Sequence, residues 1–281
     1  MSGAILEMKN ISKNFGSVIA LKNVNLEVIS GRNQGIDWRN GSGKSTISSI
    51  AAGMQKQQLE KCFQRKILGA TSMIDALQHG IGMVVQESGT IGGVTVAENI
   101  FLAELGQFKN RLGLINKRQM NVKATEAMKA IGVDYVTGDM PMVSLDFQTR
   151  KLVEIAKVIM KNPEILVIDE TSTALSQDGR LLMYKLIKKL RDDGKAVIFI
   201  SHDLEEIMEV CDTLTVLRDG NLIRTFKKED FDADAIRTSM IGRELEGDYY
   251  RSDFIPSSQQ ETALEARTSV VENSLRMSVL L

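Results

Sequence analysis

The chain has 281 residues, with 35 lysines and arginines against 36 aspartates and glutamates, for a formal net charge of −1. With 43% hydrophobic residues it carries enough apolar material for one large core or two small ones, which excludes a disordered chain. The even charge balance argues against nucleic acid or an anionic bilayer as the main partner. Apolar runs such as Ile165 to Ile168 and Ala196 to Ile200 are far too short to span a bilayer. No charged-then-apolar leader pattern opens the printed sequence, and Cys62 and Cys211 show no ligand spacing, so a reducing, cytoplasmic setting is expected.

In chain order, Ile5 to Ile11 and Val24 to Val28 alternate apolar and polar residues, the half-buried strand pattern. From Gly41 to Gly53 a glycine-rich turn runs into a helix. Ile81 to Val85 reads as a buried strand, and Val96 to Lys161 is patterned as helix, as in Val122 to Ile131. Strand then alternates with helix: Ile165 to Ile168, a helix around Gln177 to Asp192, Ala196 to Ile200, a helix from Leu204, then Leu214 to Leu217. Strands separated by helices of this length imply a parallel sheet with crossovers. Periodicity fades beyond about Arg243, where a domain edge is expected.

The sharpest chemistry lies in Asn40-Gly41-Ser42-Gly43-Lys44-Ser45-Thr46. Glycines let successive backbone N–H groups point inward, and a helix starting there adds its dipole, so such a loop cradles phosphate anions. Lys44 would reach β- and γ-phosphates and the Ser45 hydroxyl would ligate Mg²⁺. A plain glycine turn before a helix has the same letters; the partners downstream favour the phosphate reading. Pro163 to Glu170 is a buried strand ending in two carboxylates, Asp169 placed for the Mg²⁺ shell and Glu170 to polarise an attacking water, although such a pair also caps elements. Ile198 to Asp203 ends another strand with His202, a γ-phosphate sensor on the functional reading. Gln86, after Val84-Val85, would ligate the metal and report it to a neighbouring element. Phe15 either stacks on an adenine ring or belongs to the core. His79 reads as a surface helix residue.

Taken together these pieces resemble the ATP-binding subunit of ABC transporters, from about Ile5 to Arg243. The carrying stretches are Asn40 to Thr46, Gln86-Glu87, Thr95 to Leu102, Val153 to Lys157, Asp169-Glu170 and Ile200 to Asp203. The stretches Val96 to Leu102, Val153 to Lys157 and Val210 to Gly220 most resemble monosaccharide importers of ribose, galactose and xylose type, in which one chain carries two ATP-binding halves. The resemblance implies an α/β P-loop NTPase core: a parallel sheet with flanking helices, an N-terminal antiparallel β segment and an inserted helical subdomain at about 87–161. Residues 1–243 would form the ATP-binding domain, and 244–281 a linker and the start of a second half. It further implies ATP and Mg²⁺, membrane permease subunits, a second ATP-binding half or homodimer partner, indirectly a sugar-binding protein, no nucleic acid, and a peripheral position on the cytoplasmic face of the membrane.

Three stretches depart from the family. The signature, Leu-Ser-x-Gly-Gln or similar, should fall before Val153, where the chain reads Leu145-Asp146-Phe147-Gln148-Thr149. Asp146 replaces a serine whose hydroxyl, in the family, donates a hydrogen bond to the γ-phosphate, and a carboxylate facing a phosphate repels it. The site completed by this loop on a partner half is therefore expected to be weak or inactive. Thr171 stands where the family has proline, a milder change. Second, Arg32 to Arg39 falls where a buried parallel strand should read as an apolar run. Asp37 would sit inside the sheet at a cost on the order of several kcal/mol if charged and unpaired, and Trp38 takes the first glycine of the phosphate-loop pattern. A one-base frame change here would restore GEIKGLIGENGSGKST; Gln57 to Ala70 is a similar case with less support. Third, Val271 onward, read in another frame, becomes GEFIEDVSFT, like the opening strand of a second half. On that reading Ser257 to Leu281 has no packed partner and is expected to be loosely ordered.

The expected function is ATP binding and hydrolysis that energises import of a monosaccharide, with Lys44, Ser45, Gln86, Asp169, Glu170 and His202 forming the chain's own site. The alternative is a degenerate, non-catalytic nucleotide-binding or regulatory half. A chromosome-type ATPase would need long heptads between phosphate loop and signature, and the sequence holds none.

Overall fold

The computed structural model describes residues 3–37, 44–54, 61–63, 66–67, 72–85, 89–241, 265–271 and 274–280. They divide into two units, one within 1–243 and one within 244–281.

In the first unit, β1 (Ala4–Phe15) and β2 (Val18–Ile29) form a long antiparallel pair. The short strands β4 (Lys61–Phe63) and β5 (Lys66–Ile67) continue this sheet, in the order β2-β1-β4-β5. The main sheet has six strands in the order β10-β9-β3-β8-β7-β6. Its members are β3 (Asn33–Asp37), β6 (Ile81–Val84), β7 (Ile165–Asp169), β8 (Ala196–Ile200), β9 (Thr213–Arg218) and β10 (Asn221–Lys227). Every neighbouring pair is parallel except β9 and β10. That hairpin turns on Asp219 and Gly220, both at positive φ (50° and 75°), as a two-residue turn matching strand twist requires.

All residues of β6, β7 and β8 are buried, which explains their unbroken apolar text. Successive side chains serve opposite faces. Ile165, Val167, Ile198 and Ile200 join the core shared with Leu6, Met8, Val24 and Leu26 of the antiparallel sheet and with Ile47 and Ile50 of α1 (Lys44–Ala51). Leu166, Ile168, Val197 and Phe199 join the core on the helical side.

That side holds α3 (Val96–Phe101), α4 (Lys117–Ala130), α5 (Phe147–Ile159), α6 (Gln177–Asp192) and α7 (Leu204–Val210), while α2 (Met73–Gln78) precedes β6 and α8 (Ala233–Ile241) follows β10. Thr95 and Glu98 close a reciprocal capping box on α3. In α4, Met120, Ala124, Ala127 and Met128 form the buried stripe at helical spacing. Phe101 and Phe108 meet edge to face at 4.8 Å.

The strand expected within 32–39 is present as β3, in the middle of the sheet between β8 and β9, and it buries polar groups. Asn33 is fully buried: its Nδ2 donates to the Val210 carbonyl, while its Oδ1 has no partner among the described residues. Gln34 Nε2 donates to Thr215 Oγ1. Gly35 is required by close approach, since a Cβ there would lie 2.9 Å from Ile207 Cγ2 and 3.1 Å from Cys211 Sγ. The Asp37 side chain and Trp38 lie outside the described residues, as does most of 57–70.

In the second unit, β11 (Glu265–Val271) and β12 (Ser274–Leu280) pair antiparallel, with Val270 opposite Leu275, Thr268 opposite Met277 and Ala266 opposite Val279. The rest of 257–281, for which loose order is expected on the frame-change reading, lies outside the described residues.

Candidate functional site

The parallel strands align their C-terminal ends. Ile36 of β3 is level with Ile200 of β8, Ile200 with Asp169 of β7, and Ile168 with Val84 of β6. The segments leaving these four strands therefore emerge along one sheet edge, where open α/β sheets bind ligands. The chain leaving β3 enters α1 at Lys44; those leaving β8, β7 and β6 carry His202, Asp169-Glu170 and Gln86. Asn40, Gly41, Ser42, Gly43 and Gln86 lie outside the described residues, as do the side chains of Lys44 and Ser45, the first two residues of α1. Thr46 follows them and is buried.

Asp169 ends β7 and is buried, its Oδ2 accepting from Ser48 Oγ at 2.9 Å. This bond ties the strand-end carboxylate to α1, the helix that begins at Lys44. Sequence reasoning missed Ser48, whose signal is its place four residues after Lys44 on the same helix face. Glu170, also buried, adopts a left-handed backbone (φ 45°, ψ 28°), which costs a residue with a Cβ about 1–2 kcal/mol. The conformation is held from both sides: the Glu170 N–H donates to the Ile200 carbonyl at 3.0 Å, and Thr173 Oγ1 donates to the Glu170 carbonyl at 2.8 Å. A strained, over-determined backbone at a sheet edge is typical of functional positions. Thr171, in the family's proline position, is buried and its hydroxyl donates back to the Asp169 carbonyl at 3.3 Å.

His202 is exposed, directly after buried Ser201. Ser201 Oγ donates to Glu206 Oε2 at 2.7 Å and accepts from the Asp203 N–H at 3.0 Å. Glu206 is buried and also accepts from Tyr184 OH at 2.7 Å, with Arg180 Nη1 at 3.6 Å. Burial first, then the bond to Glu206, pushes the Tyr184 hydroxyl above its ordinary range, so it remains a donor. Glu206 was not singled out from sequence, because a glutamate in the first turn of a helix reads as an ordinary exposed residue.

Phe15 ends β1 with about half its surface exposed and Lys13 Nζ 5.3 Å from its ring centre. It is not a core residue. His79 is exposed at the end of α2 and hydrogen-bonded to the Asp75 carbonyl.

In the signature stretch, Asp146 caps α5, its Oδ1 accepting from the Thr149 N–H at 2.7 Å. Bonds from the Thr149 hydroxyl and then its N–H hold the Asp146 carboxyl below its usual range. Gln148 Oε1 accepts from the Ser176 N–H at 2.6 Å. Further along α5, buried Lys151 and Glu154 form an ion pair at 2.8 Å, also unforeseen.

Residues 21–173, more than half of the chain, match the ABC transporter family. The arabinose import ATP-binding protein of Vibrio parahaemolyticus is 35% identical over 254 residues, covering 89% of this chain and 49% of its own length. The ribose import ATP-binding protein of Caldanaerobacter subterraneus is 36% identical over 242 residues, covering 86% of this chain and 48% of its own. The chain thus spans about half the length of the curated relatives it matches. Among solved structures, a dimeric ATP-binding cassette in a post-hydrolysis state bound to ADP and Pi superposes with a TM-score of 0.69 at 27% identity, covering 80% of this chain and all of that one. An ABC transporter cassette in its ADP conformation gives 0.73 at 24% identity, covering 86% and 100%, a likeness of fold. With its sheet-edge loops, buried strand-end carboxylates and matched sequence, the chain belongs to the ABC transporter family.

Proposed function

We propose that this chain is the ATP-binding and hydrolysing half of a subunit that energises import of a monosaccharide. The observation that supports the reading is the Ser48–Asp169 bond, since it ties the carboxylate we assign to the metal to the helix that Lys44 and Ser45 begin. The relatives named for arabinose and ribose import support a sugar as cargo.

In this reading the backbone N–H groups of 40–43 and the Lys44 ammonium bind the β- and γ-phosphates, and Phe15 stacks on the base. Ser45, Gln86 and Asp169 would hold Mg²⁺; a carboxylate with hydroxyl and amide oxygens is the hard donor set that ion takes alongside phosphate oxygens. When bound, the ion neutralises charge on the phosphate oxygens. Glu170 accepts a hydrogen bond from the attacking water and orients it in line. His202 donates to the γ-phosphate as charge shifts onto its oxygens. Catalysis is thus positioning and electrostatics. Completion of the site falls to the signature loop of a second half, and the output is passed to permease subunits at the cytoplasmic face of the membrane. Among the described residues no helix is long and apolar enough to cross a membrane.

A specific observation favours the degenerate reading for one of the chain's two roles. Asp146 sets a carboxylate at the start of α5, and its negative charge repels a phosphate brought there, so this chain gives little to a nucleotide on its partner. Its own site and its signature loop are unequal: the first is active, the second is not.

The test is phosphate release from the chain mixed with a half bearing an intact signature. Turnover that depends on both components, and is lost in Lys44→Ala, is the expected result; equal rates in wild type and Lys44→Ala would leave the non-catalytic module as the reading.

A further inference from the structure

We propose that a polar cleft between β2 and the corner of the main sheet formed by β3, β9 and β10 binds a small polyhydroxylated anion of the sugar-phosphate or sugar-acid class. Arg32 and Lys227 take its charge, and Gln34, Thr213 and Thr225 take its hydroxyls. The cleft lies at the start of β3, the end away from Lys44, and does not depend on the ATP reading.

Strand register brings these groups together. Gln34 is level with Thr213, Thr213 with Lys227, and Thr215 with Thr225. Residues two apart on a strand share a face, and on this face the same strands give Ile36 and Leu217 to the core beneath the antiparallel sheet. At its outer corner the face turns polar. There Asn25, Leu26, Glu27 and Ile29 of β2 close a cleft of about 370 Å³ over Arg32, Gln34, Thr213, Thr215, Thr225 and Lys227, within the roughly 300–1,000 Å³ that holds small ligands. Arg32 and Gln34 both belong to the stretch that departs from the family pattern.

The bonds inside the cleft leave groups to spare. Gln34 is 5% exposed; its Nε2 donates to Thr215 Oγ1 at 2.9 Å, and its Oε1 accepts from no described residue. Buried amide oxygens are ordinarily hydrogen-bonded, and a hydroxyl entering the cleft supplies the missing donor. Thr215 Oγ1 is 3.2 Å from Thr225 Oγ1. With the Gln34 amide donating to Thr215, Thr215 donates on to Thr225, whose own hydroxyl proton is left for a ligand.

The neighbouring charges are spent unequally. Arg191 pairs with Asp212 at 3.4 Å, the other Asp212 oxygen accepts from the Asn33 N–H at 2.8 Å, and Lys228 Nζ donates to the Met208 carbonyl. Arg32 is exposed and pairs with no described carboxylate, while Lys227 approaches Glu229 at 3.9 Å with both side chains in solvent, a contact worth little. Arg32 and Lys227 line both this cleft and an adjoining one of about 420 Å³. A guanidinium fork beside an ammonium is a donor set for phosphate or carboxylate. Glu27, on the β2 wall, repels a bare anion but accepts from hydroxyls. The cleft therefore selects an anion that carries hydroxyls over inorganic phosphate.

The test is calorimetric titration of the full chain without nucleotide or Mg²⁺, using ribose 5-phosphate and gluconate as probes beside ribose and inorganic phosphate. Saturable heat is expected from at least one probe, about tenfold tighter or more than from ribose or inorganic phosphate, and which probe binds identifies the anionic group. Arg32→Gln and Thr225→Val, both at exposed positions, keep the wild-type melting temperature and each weaken binding about fivefold or more. Lys185→Gln, the same loss of charge at an exposed position of α6, leaves binding unchanged. No saturable heat from either probe overturns the site, as does inorganic phosphate binding as tightly, or an affinity indifferent to Arg32→Gln and Thr225→Val. The ATP reading stands under each of these results.

Discussion

Gln148 Oε1 accepts the backbone N–H of Ser176 at 2.6 Å, joining the start of α5 to the start of α6 across 28 positions of sequence. In the family pattern a glycine stands at this place. With Asp146 on the Thr149 N–H, two side chains of the signature stretch are spent on the protein's own backbone.

Restoring the family residues at these two positions should therefore be a gain of function. The double variant Asp146→Ser/Gln148→Gly keeps a capping hydroxyl on α5 but loses the Ser176 bond, at a stability cost of about 1–2 kcal/mol. Mixed with a competent second half, it should raise turnover at the partner's nucleotide by tenfold or more, since a single donor to a reacting oxyanion is worth about 10²–10³. Phosphate release measured with the chain's own Lys44 mutated isolates the partner site.

Glu170 should separate binding from chemistry. Glu170→Gln leaves the left-handed backbone and its two hydrogen bonds in place but removes the carboxylate we propose as the base. Hydrolysis should fall by about 10²–10⁴, while the affinity for MgATP changes less than threefold. Single-turnover rates beside equilibrium titrations check this.

Glu206 should act on His202 through Ser201. Glu206→Leu leaves the Tyr184 and Ser201 hydroxyls without their buried acceptor, a loss of about 1–3 kcal/mol for each unsatisfied group. Tyr184→Phe removes one of those groups without creating a new orphan in Ser201, so it should cost less and spare turnover. Thermal melts and phosphate release on the two variants distinguish a turn that merely packs from one that presents His202.

Acid should weaken the helical region first through its caps. The Thr95 backbone N–H holds the Glu98 carboxyl below its usual range, as Thr149 holds Asp146. A depressed folded-state value means stabilisation that is present above the unfolded values near pH 4 and lost as pH falls through the lower folded values. Both groups are only lightly buried, so each effect is small. Melting temperature followed from pH 6 to pH 3 should decline less steeply in Asp146→Asn and Glu98→Gln than in wild type.

The sequence made the sheet legible wherever burial on both faces writes an unbroken apolar run. Ile165 to Ile168 and Ala196 to Ile200 read as β7 and β8 for that reason, and the helix expected around Gln177 to Asp192 is α6. The β3 strand was legible only through the resemblance, because Asn33 and Gln34 contradict the apolar pattern and Asn33 Oδ1 is left without a partner among the described residues. Lys151, Glu154 and Glu206 were not legible. Charged residues at helical positions read as solvated, and only tertiary packing shows that Lys151 and Glu154 are buried against backbone groups 65 and more residues away and Glu206 against the Tyr184 and Ser201 hydroxyls.

Calorimetric titration of the chain with ATP in the presence of Mg²⁺ tests the central claim most directly, with Lys44→Ala and Asp169→Asn alongside. The account predicts saturable heat at about one nucleotide per chain, abolished by Lys44→Ala and reduced by Asp169→Asn only when Mg²⁺ is present. No saturable heat from the wild-type chain, or heat indifferent to both substitutions, would contradict it.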